Sequence, residues 1–247
     1  MLTTLLPGFR HFRTPFAVGA LCSFQLWIIF GENIPHRTEA QGLLKRVYTL
    51  GEIAGRPIVT AAIAFVLYLL GDIFRVSSNS LQKFFRRNLQ KKAFLSDESL
   101  HRLGDFANGA FRVRSQSMRV EANKDRLIAR MVSELPAIRM QLVANHLEVY
   151  LEHDRLDSES EFRINVALYS TSLWCVLGFA WSPLAFLGAG ASWFLFMNGM
   201  RASRDANAIL AQAVIAGIVE SRRYAEELER DSETRGGVTI SRGPGSR

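Results

Sequence analysis

Cysteine and proline are scarce in this chain of 247 residues, which has two Cys and seven Pro. Two cysteines cannot build a disulfide-stapled fold, and the sequence has no CxxC motif or Cys/His cluster to hold a metal. Seven prolines and 18 glycines without a regular period exclude a collagen-like repeat. With 48% hydrophobic residues and a net charge of +7, the chain is also not an acidic disordered one.

Catalytic motifs are missing as well. The sequence has no G-x-S-x-G, H-E-x-x-H or G-x-G-x-x-G motif and no Walker A lysine loop. His146 and His153 fall on one face of a predicted helix, but zinc ligands on one helix are usually spaced i, i+4. We therefore predict no enzymatic activity, no cofactor and no metal site.

Charge is nearly absent from three segments, residues 16–30, 57–74 and 164–200, in which Asp72 is the single charge. A bilayer core takes about 20 apolar helical residues. The third segment is too long for one span and is interrupted at Ser182-Pro183, which predicts a hairpin of two spans. The pattern predicts an all-α protein with four membrane spans. The alternatives are a buried core helix for any one segment and a cleaved signal peptide for the first, which lacks a small-residue cleavage pattern.

Basic residues beside the spans predict the orientation. Arg10 and Arg13 precede the first span without an acid, whereas the loop over 31–56 has four basic and three acidic residues. Six basic residues and no acid follow the second span: Arg75, Lys83, Arg86, Arg87, Lys91 and Lys92. We predict a bacterial inner-membrane protein with both termini in the cytoplasm, in which these six residues bind the anionic inner leaflet. Nucleic-acid binding is the alternative for this basic cluster, but a cluster beside a span needs no explanation other than orientation, so we predict no nucleic-acid partner.

The segments between the spans complete the predicted organisation. The predicted parts are a cytoplasmic N-terminus (1–15), two spans with an amphipathic outer loop (16–74), a cytoplasmic helical domain (75–163), a transmembrane hairpin (164–200), a cytoplasmic helix (201–231) and a disordered tail (232–247). Pro136 predicts the start of one helix in the cytoplasmic domain. The last helix has a coiled-coil-like stripe of small residues and no proline, so it is expected to continue from the fourth span and to favour a homo-oligomer.

Four polar residues within or at the ends of the spans are the candidate functional residues: Gln25, Asp72, Asn165 and Asn198. They either form hydrogen bonds between helices or line an ion path. Asp72 is placed to meet Arg75 or lipid headgroups. Asn165 and Asn198 are expected to face each other across the hairpin.

Two resemblances bear on function. The opening LPGFRHFRTPFAVGAL with the loop GLLKRVYTLGEIAG resembles uncharacterised bacterial multi-pass membrane proteins, over about the first 75 residues, and implies no activity. The hairpin that leads into a long helix resembles, in layout, the two-span effector modules of bacterial anti-phage conflict systems. The first predicted function is an oligomeric membrane channel or membrane-perturbing effector. The alternative is a membrane anchor or scaffold that recruits a cytoplasmic protein partner.

Overall fold

A computed structural model describes residues 7–36, 38–76, 95–112, 120–222 and 225–226. Every regular element in these ranges is helical, which confirms the predicted all-α class. The described residues include six α-helices: α1 (Pro7–Phe30), α2 (Gly42–Phe74), α3 (Asp97–Arg112), α4 (Val120–Asn145), α5 (Leu147–Ala180) and α6 (Leu187–Ile215). Short 3-10 helices occupy Gly31–Asn33 and Pro183–Phe186.

The chain divides into two compact units. Unit 1 consists of Met1–Asn88 and Arg155–Ser203, and unit 2 consists of Leu89–Asp154 and Arg204–Arg247. All three charge-poor segments therefore belong to unit 1. The helical domain predicted over 75–163 contributes its middle part to unit 2 and both of its ends to unit 1.

Helices α1 and α2 pack closely in unit 1 because each has a glycine at the contact. A Cβ atom added at Gly19 would overlap the backbone carbonyl of Leu67, and one added at Gly71 would overlap the carbonyl of Pro15. Small residues let two helix backbones approach in this way, in water or in lipid. Val18, beside this contact, is fully buried.

Helix α2 is bent at Gly55, which has the non-helical angles φ 78° and ψ 164°. This region of backbone space is almost restricted to glycine because a Cβ atom is disfavoured there. Pro57 follows two residues later and lacks the amide hydrogen that would continue the helical ladder. The break separates an amphipathic segment, residues 42–54, from the apolar segment that starts at Pro57.

The predicted interruption of the third charge-poor segment is found. Helix α5 ends at Ala180, and the Ser182 side chain caps the following 3-10 helix by accepting a hydrogen bond from the Leu184 amide. Two glycines then allow the flanking segments to pack closely, since Gly188 lies against the Trp174 ring and Gly178 against the Phe186 ring.

Unit 2 has a hydrophobic core of its own. Its buried members come from α3, α4, the end of α6 and the residues that flank these helices: Leu95, Leu103, Leu135, Ile138, Leu142, Leu210, Ala211, Ala213, Val214 and Val219. Helix α4 runs through Pro136, so the helix start predicted at this proline is not found. Burial of Leu135, Ile138 and Leu142 on both sides of the proline favours a continuous helix over the local signal.

The last helix is shorter than the sequence predicts. Helix α6 ends at Ile215, whereas the stripe of small residues predicts helix as far as residue 231. Gly217 has φ 70°, its amide donates to the Val214 carbonyl, and the Ile218 amide donates to the Ala213 carbonyl. This pair of hydrogen bonds is the Schellman motif that ends many helices at glycine. The tail predicted to be disordered, residues 232–247, lies outside the described residues.

Candidate functional site

The candidate site is a set of polar contacts in unit 1 that joins helix α5 to α1 and to the end of α2. Gln25 lies on α1, and its Nε2 donates to the Tyr169 carbonyl over 2.8 Å. The Oε1 atom of the same side chain accepts from the Ser172 hydroxyl over 2.9 Å. Both ends of the Gln25 amide are therefore used on α5.

Asn165 holds the end of α2 in the same way. Its side chain is 0% exposed, its Oδ1 accepts from the Val76 amide over 2.9 Å, and its Nδ2 donates to the Val76 carbonyl over 2.9 Å. A further hydrogen bond from Nδ2 reaches the Glu161 carbonyl one turn earlier in α5, over 2.8 Å. The Tyr169 hydroxyl donates to the Phe74 carbonyl over 2.6 Å. These bonds satisfy backbone groups that the end of α2 would otherwise leave unpaired.

Two cations flank the contacts of Asn165. The Arg75 Nε lies 3.4 Å from the Glu161 Oε1, and both side chains are partly exposed. The Arg13 guanidinium lies over the Phe162 ring, 4.7 Å from its centroid. Arg75 is thus paired with an acid of α5, a partner that the sequence did not indicate. Partial exposure makes such an ion pair a weak contributor to stability.

The predicted site residues are not all brought together. Gln25 bonds to α5, and Asn165 of α5 bonds to Val76 at the end of α2. Asp72, in contrast, is exposed, and Arg75 pairs with Glu161. Asn198 is half-buried, and the hydrogen bonds of Asn165 go to Val76 and Glu161, so Asn198 is not the hydrogen-bond partner of Asn165. The other predicted leaflet-binding residues lie outside the described residues: Lys83, Arg86, Arg87, Lys91 and Lys92.

Sequence reasoning identified Asn165 but missed the partners of Gln25 and Arg75 on α5. Glu161, Asn165, Tyr169 and Ser172 are spaced by four, four and three residues, which places them on one face of a helix. A polar stripe at this spacing, which begins just before the apolar segment and continues into it, was the available signal. It indicates a face that packs on other helices.

Replacing Asn165 with leucine tests whether these hydrogen bonds stabilise unit 1. The side chain of Asn165→Leu is similar in size, but it leaves the Val76 amide and carbonyl without their partner. Leaving a buried polar group unpaired costs about 1–3 kcal/mol. We expect the free energy of unfolding, measured by denaturant titration in mixed micelles, to fall by that amount. The matched change Asn198→Leu is expected to have a smaller effect, and equal effects would contradict this role of Asn165.

In the described part of unit 2, His153 and Ser221 make buried polar contacts. The His153 Nδ1 lies 2.9 Å from the Ala206 carbonyl oxygen, and the Ser221 hydroxyl donates to Glu134 over 2.5 Å. His146 is exposed, so it does not share an environment with His153. Within the described ranges, no group of three His, Cys, Asp or Glu side chains is placed to hold a metal ion.

Among the described residues, two helices of unit 1 are long and apolar enough to cross a membrane, Phe12–Asn33 and Gly42–Phe74. Only 22% and 6% of their apolar windows are buried, whereas the core helix of a soluble protein would be mostly buried. No protein-family model, curated protein or solved structure matches the chain. The fold and composition therefore define an all-helical protein with two helices suited to a membrane.

Proposed function

We propose that unit 1 spans a bacterial inner membrane four times and anchors unit 2, which binds a cytoplasmic protein partner. The observation that carries the proposal is the apolar surface of unit 1. Its exposed large side chains include Trp27, Phe179, Trp181, Leu184, Leu187, Trp193 and Phe194, and Trp181 is 85% exposed. A soluble surface rarely exposes so many large apolar groups, whereas a lipid-facing surface requires them.

Helix lengths support the third and fourth spans. The apolar part of α5, residues 164–180, is about 26 Å long at 1.5 Å per residue. The apolar part of α6 extends only from Leu187 to Met200, but the 3-10 helix Pro183–Phe186 rises about 2 Å per residue and brings the total to about 29 Å. Both lengths approach the hydrocarbon thickness of about 30 Å.

The polar contacts of unit 1 favour an anchor over a channel. Gln25 and Asn165 already bond to neighbouring backbone or hydroxyl groups, so coordinating a passing ion would break those bonds. Unit 2, in contrast, combines its own core with exposed apolar residues near the junction of α4 and α5: Met140, Val143, Leu147 and Leu151. This exposed set supports a protein-binding role for unit 2. The oligomeric channel stays a prediction.

Reporter fusions test the four spans. Fusions after Ala40 and Ser182 are expected to give an external signal, and fusions after Val120 and Gly217 a cytoplasmic one. A cytoplasmic signal after Ser182 would contradict the third and fourth spans. The same signal after Ala40 would contradict the first two.

The anchor and the channel are separated by two measurements on the full chain. Cross-linking in membranes is expected to capture a protein partner that is lost with Leu147→Glu and retained with the neighbouring control Glu148→Gln. Ion flux into liposomes is expected to be absent and unchanged by Gln25→Leu. The opposite outcome is an ion flux that changes in Gln25→Leu, together with no protein that cross-links to the chain through Leu147. That outcome would establish the channel and exclude the anchor.

A further inference from the structure

The first segment of α2, residues 42–54, exposes an apolar stripe that nothing in unit 1 covers. Leu43, Val47, Leu50 and Ile53 recur at spacings of four, three and three residues, and Leu43 and Ile53 are 78% and 81% exposed. Leu44, Tyr48 and Gly51 lie on a different face of the same segment and are half-buried. The segment therefore has one face that packs within unit 1 and a second apolar face directed outward.

We propose that residues 42–54 form an interfacial helix that lies in the bilayer leaflet at the start of the second span. The exposed stripe would enter the boundary between headgroups and acyl chains, as the apolar face of an in-plane amphipathic helix does. The inference rests on the proposed membrane insertion of unit 1. It adds a lipid-binding surface to a segment that would otherwise be a connecting loop.

Chain continuity identifies the lipid leaflet as the occupant. Residues 42–54 are joined to the apolar segment that starts at Pro57, so a membrane that holds this segment comes close to the stripe. The Gly55 break gives the chain a change of direction at this point, so the amphipathic segment need not continue along the span. A protein partner would have no comparable link to this position.

Charge complementarity agrees with a headgroup environment. Lys45 and Arg46 are exposed beside the stripe, and Arg56 is exposed at the break. Glu52 is the single acid of residues 42–56. Three cations against one acid fit the phosphate groups of phospholipids, since basic residues flank the apolar face of most interfacial helices.

Depth-dependent quenching tests the interfacial helix in the full chain. Cys22→Ala and Cys175→Ala remove the two native thiols, and Leu50→Cys, Thr49→Cys or Phe65→Cys then carries an environment-sensitive fluorophore. The protein is reconstituted in vesicles of phosphatidylcholine and phosphatidylglycerol. Thr49 is exposed on the same segment, about 100° around the helix from Leu50 on the side of Lys45. Phe65 is exposed in the middle of the second span.

A lipid with a shallow nitroxide is expected to quench the label at Leu50 at least roughly twofold more strongly than the label at Thr49. Aqueous iodide is expected to show the reverse order. Equal quenching at the two positions overturns the proposal. A label at Leu50 that neither quencher reaches also overturns it, because a protein surface then covers the stripe.

The label at Phe65 separates this inference from the proposed membrane insertion. Strong quenching at Phe65 by a deep nitroxide, with none at Leu50 by the shallow one, overturns the interfacial helix alone. No quenching at Phe65 overturns the span, and the interfacial helix with it.

Discussion

The variants Gly19→Leu and Gly71→Leu are expected to separate helices α1 and α2 and to lower the thermal midpoint of the full chain in detergent. Overpacking a close contact typically costs 1–3 kcal/mol and sometimes more. Here the obstacle is backbone, because the added Cβ atoms would overlap the carbonyls of Leu67 and Pro15. Backbone cannot rotate away as a side chain can. We expect a loss of about 3 kcal/mol, which corresponds to on the order of 10 °C for a chain of this length.

Gly190→Leu is the matched control for these variants. An added Cβ at Gly190, on α6, meets no atom within 4 Å, so the same substitution has room. The control also gains helix propensity, because glycine is the poorest helix former after proline. We expect its thermal midpoint to be unchanged or raised. If Gly19→Leu and Gly190→Leu had the same thermal midpoint, the close approach of α1 and α2 would be contradicted.

Leu142→Ala is expected to have the second large effect, and the effect should be confined to unit 2. The Leu142 side chain is 0% exposed in the core formed by α3, α4 and the end of α6. Truncating a fully buried leucine removes apolar contacts and leaves a cavity, at a cost of about 2–5 kcal/mol. Amide hydrogen exchange in α4 is then expected to be roughly 30-fold to several thousand-fold faster, since 1.4 kcal/mol corresponds to a factor of ten.

Met140→Ala controls for the loss of a large side chain from the same helix. Met140 is 70% exposed, and surface substitutions usually change stability by less than about 0.5 kcal/mol. Exchange in α4 should therefore change by no more than roughly twofold. A comparable acceleration in both variants would show that Leu142 is not part of a packed core.

The helical class and the break at Ser182-Pro183 were predictable because their signals are local. Runs without charge, together with a proline after a capping serine, identify helix and turn without reference to the rest of the chain. The end of α6 at Ile215 also had a local signal, because Gly217 follows the apolar stripe. The continuous pattern of alanine and glutamate beyond it favoured a longer helix.

For Gln25 and Asn165, the sequence indicated interhelical contacts as one possibility but did not identify the partners. Polar residues in apolar segments indicate interhelical contacts or an ion path, but the partners of these two residues lie far away in the sequence. The sequence predicts that Asn198 faces Asn165 because both lie near the same end of the hairpin. The end of α2 has unpaired backbone groups at Val76, and these take the bonds instead. The helix through Pro136 was also not predictable from local sequence, because burial of residues around the proline in the unit 2 core favours a continuous helix.

The tryptophans all lie in one of the two units, which makes fluorescence a selective probe of that unit. All four, Trp27, Trp174, Trp181 and Trp193, belong to unit 1, and unit 2 has none. Tryptophan emission is therefore a reporter of unit 1 alone, and unit 2 contributes nothing to it. A ligand that binds unit 2 and leaves the emission maximum unmoved has acted locally. A ligand that binds unit 2 and shifts the emission maximum has changed the surroundings of a tryptophan in unit 1. This change can be measured without an added label.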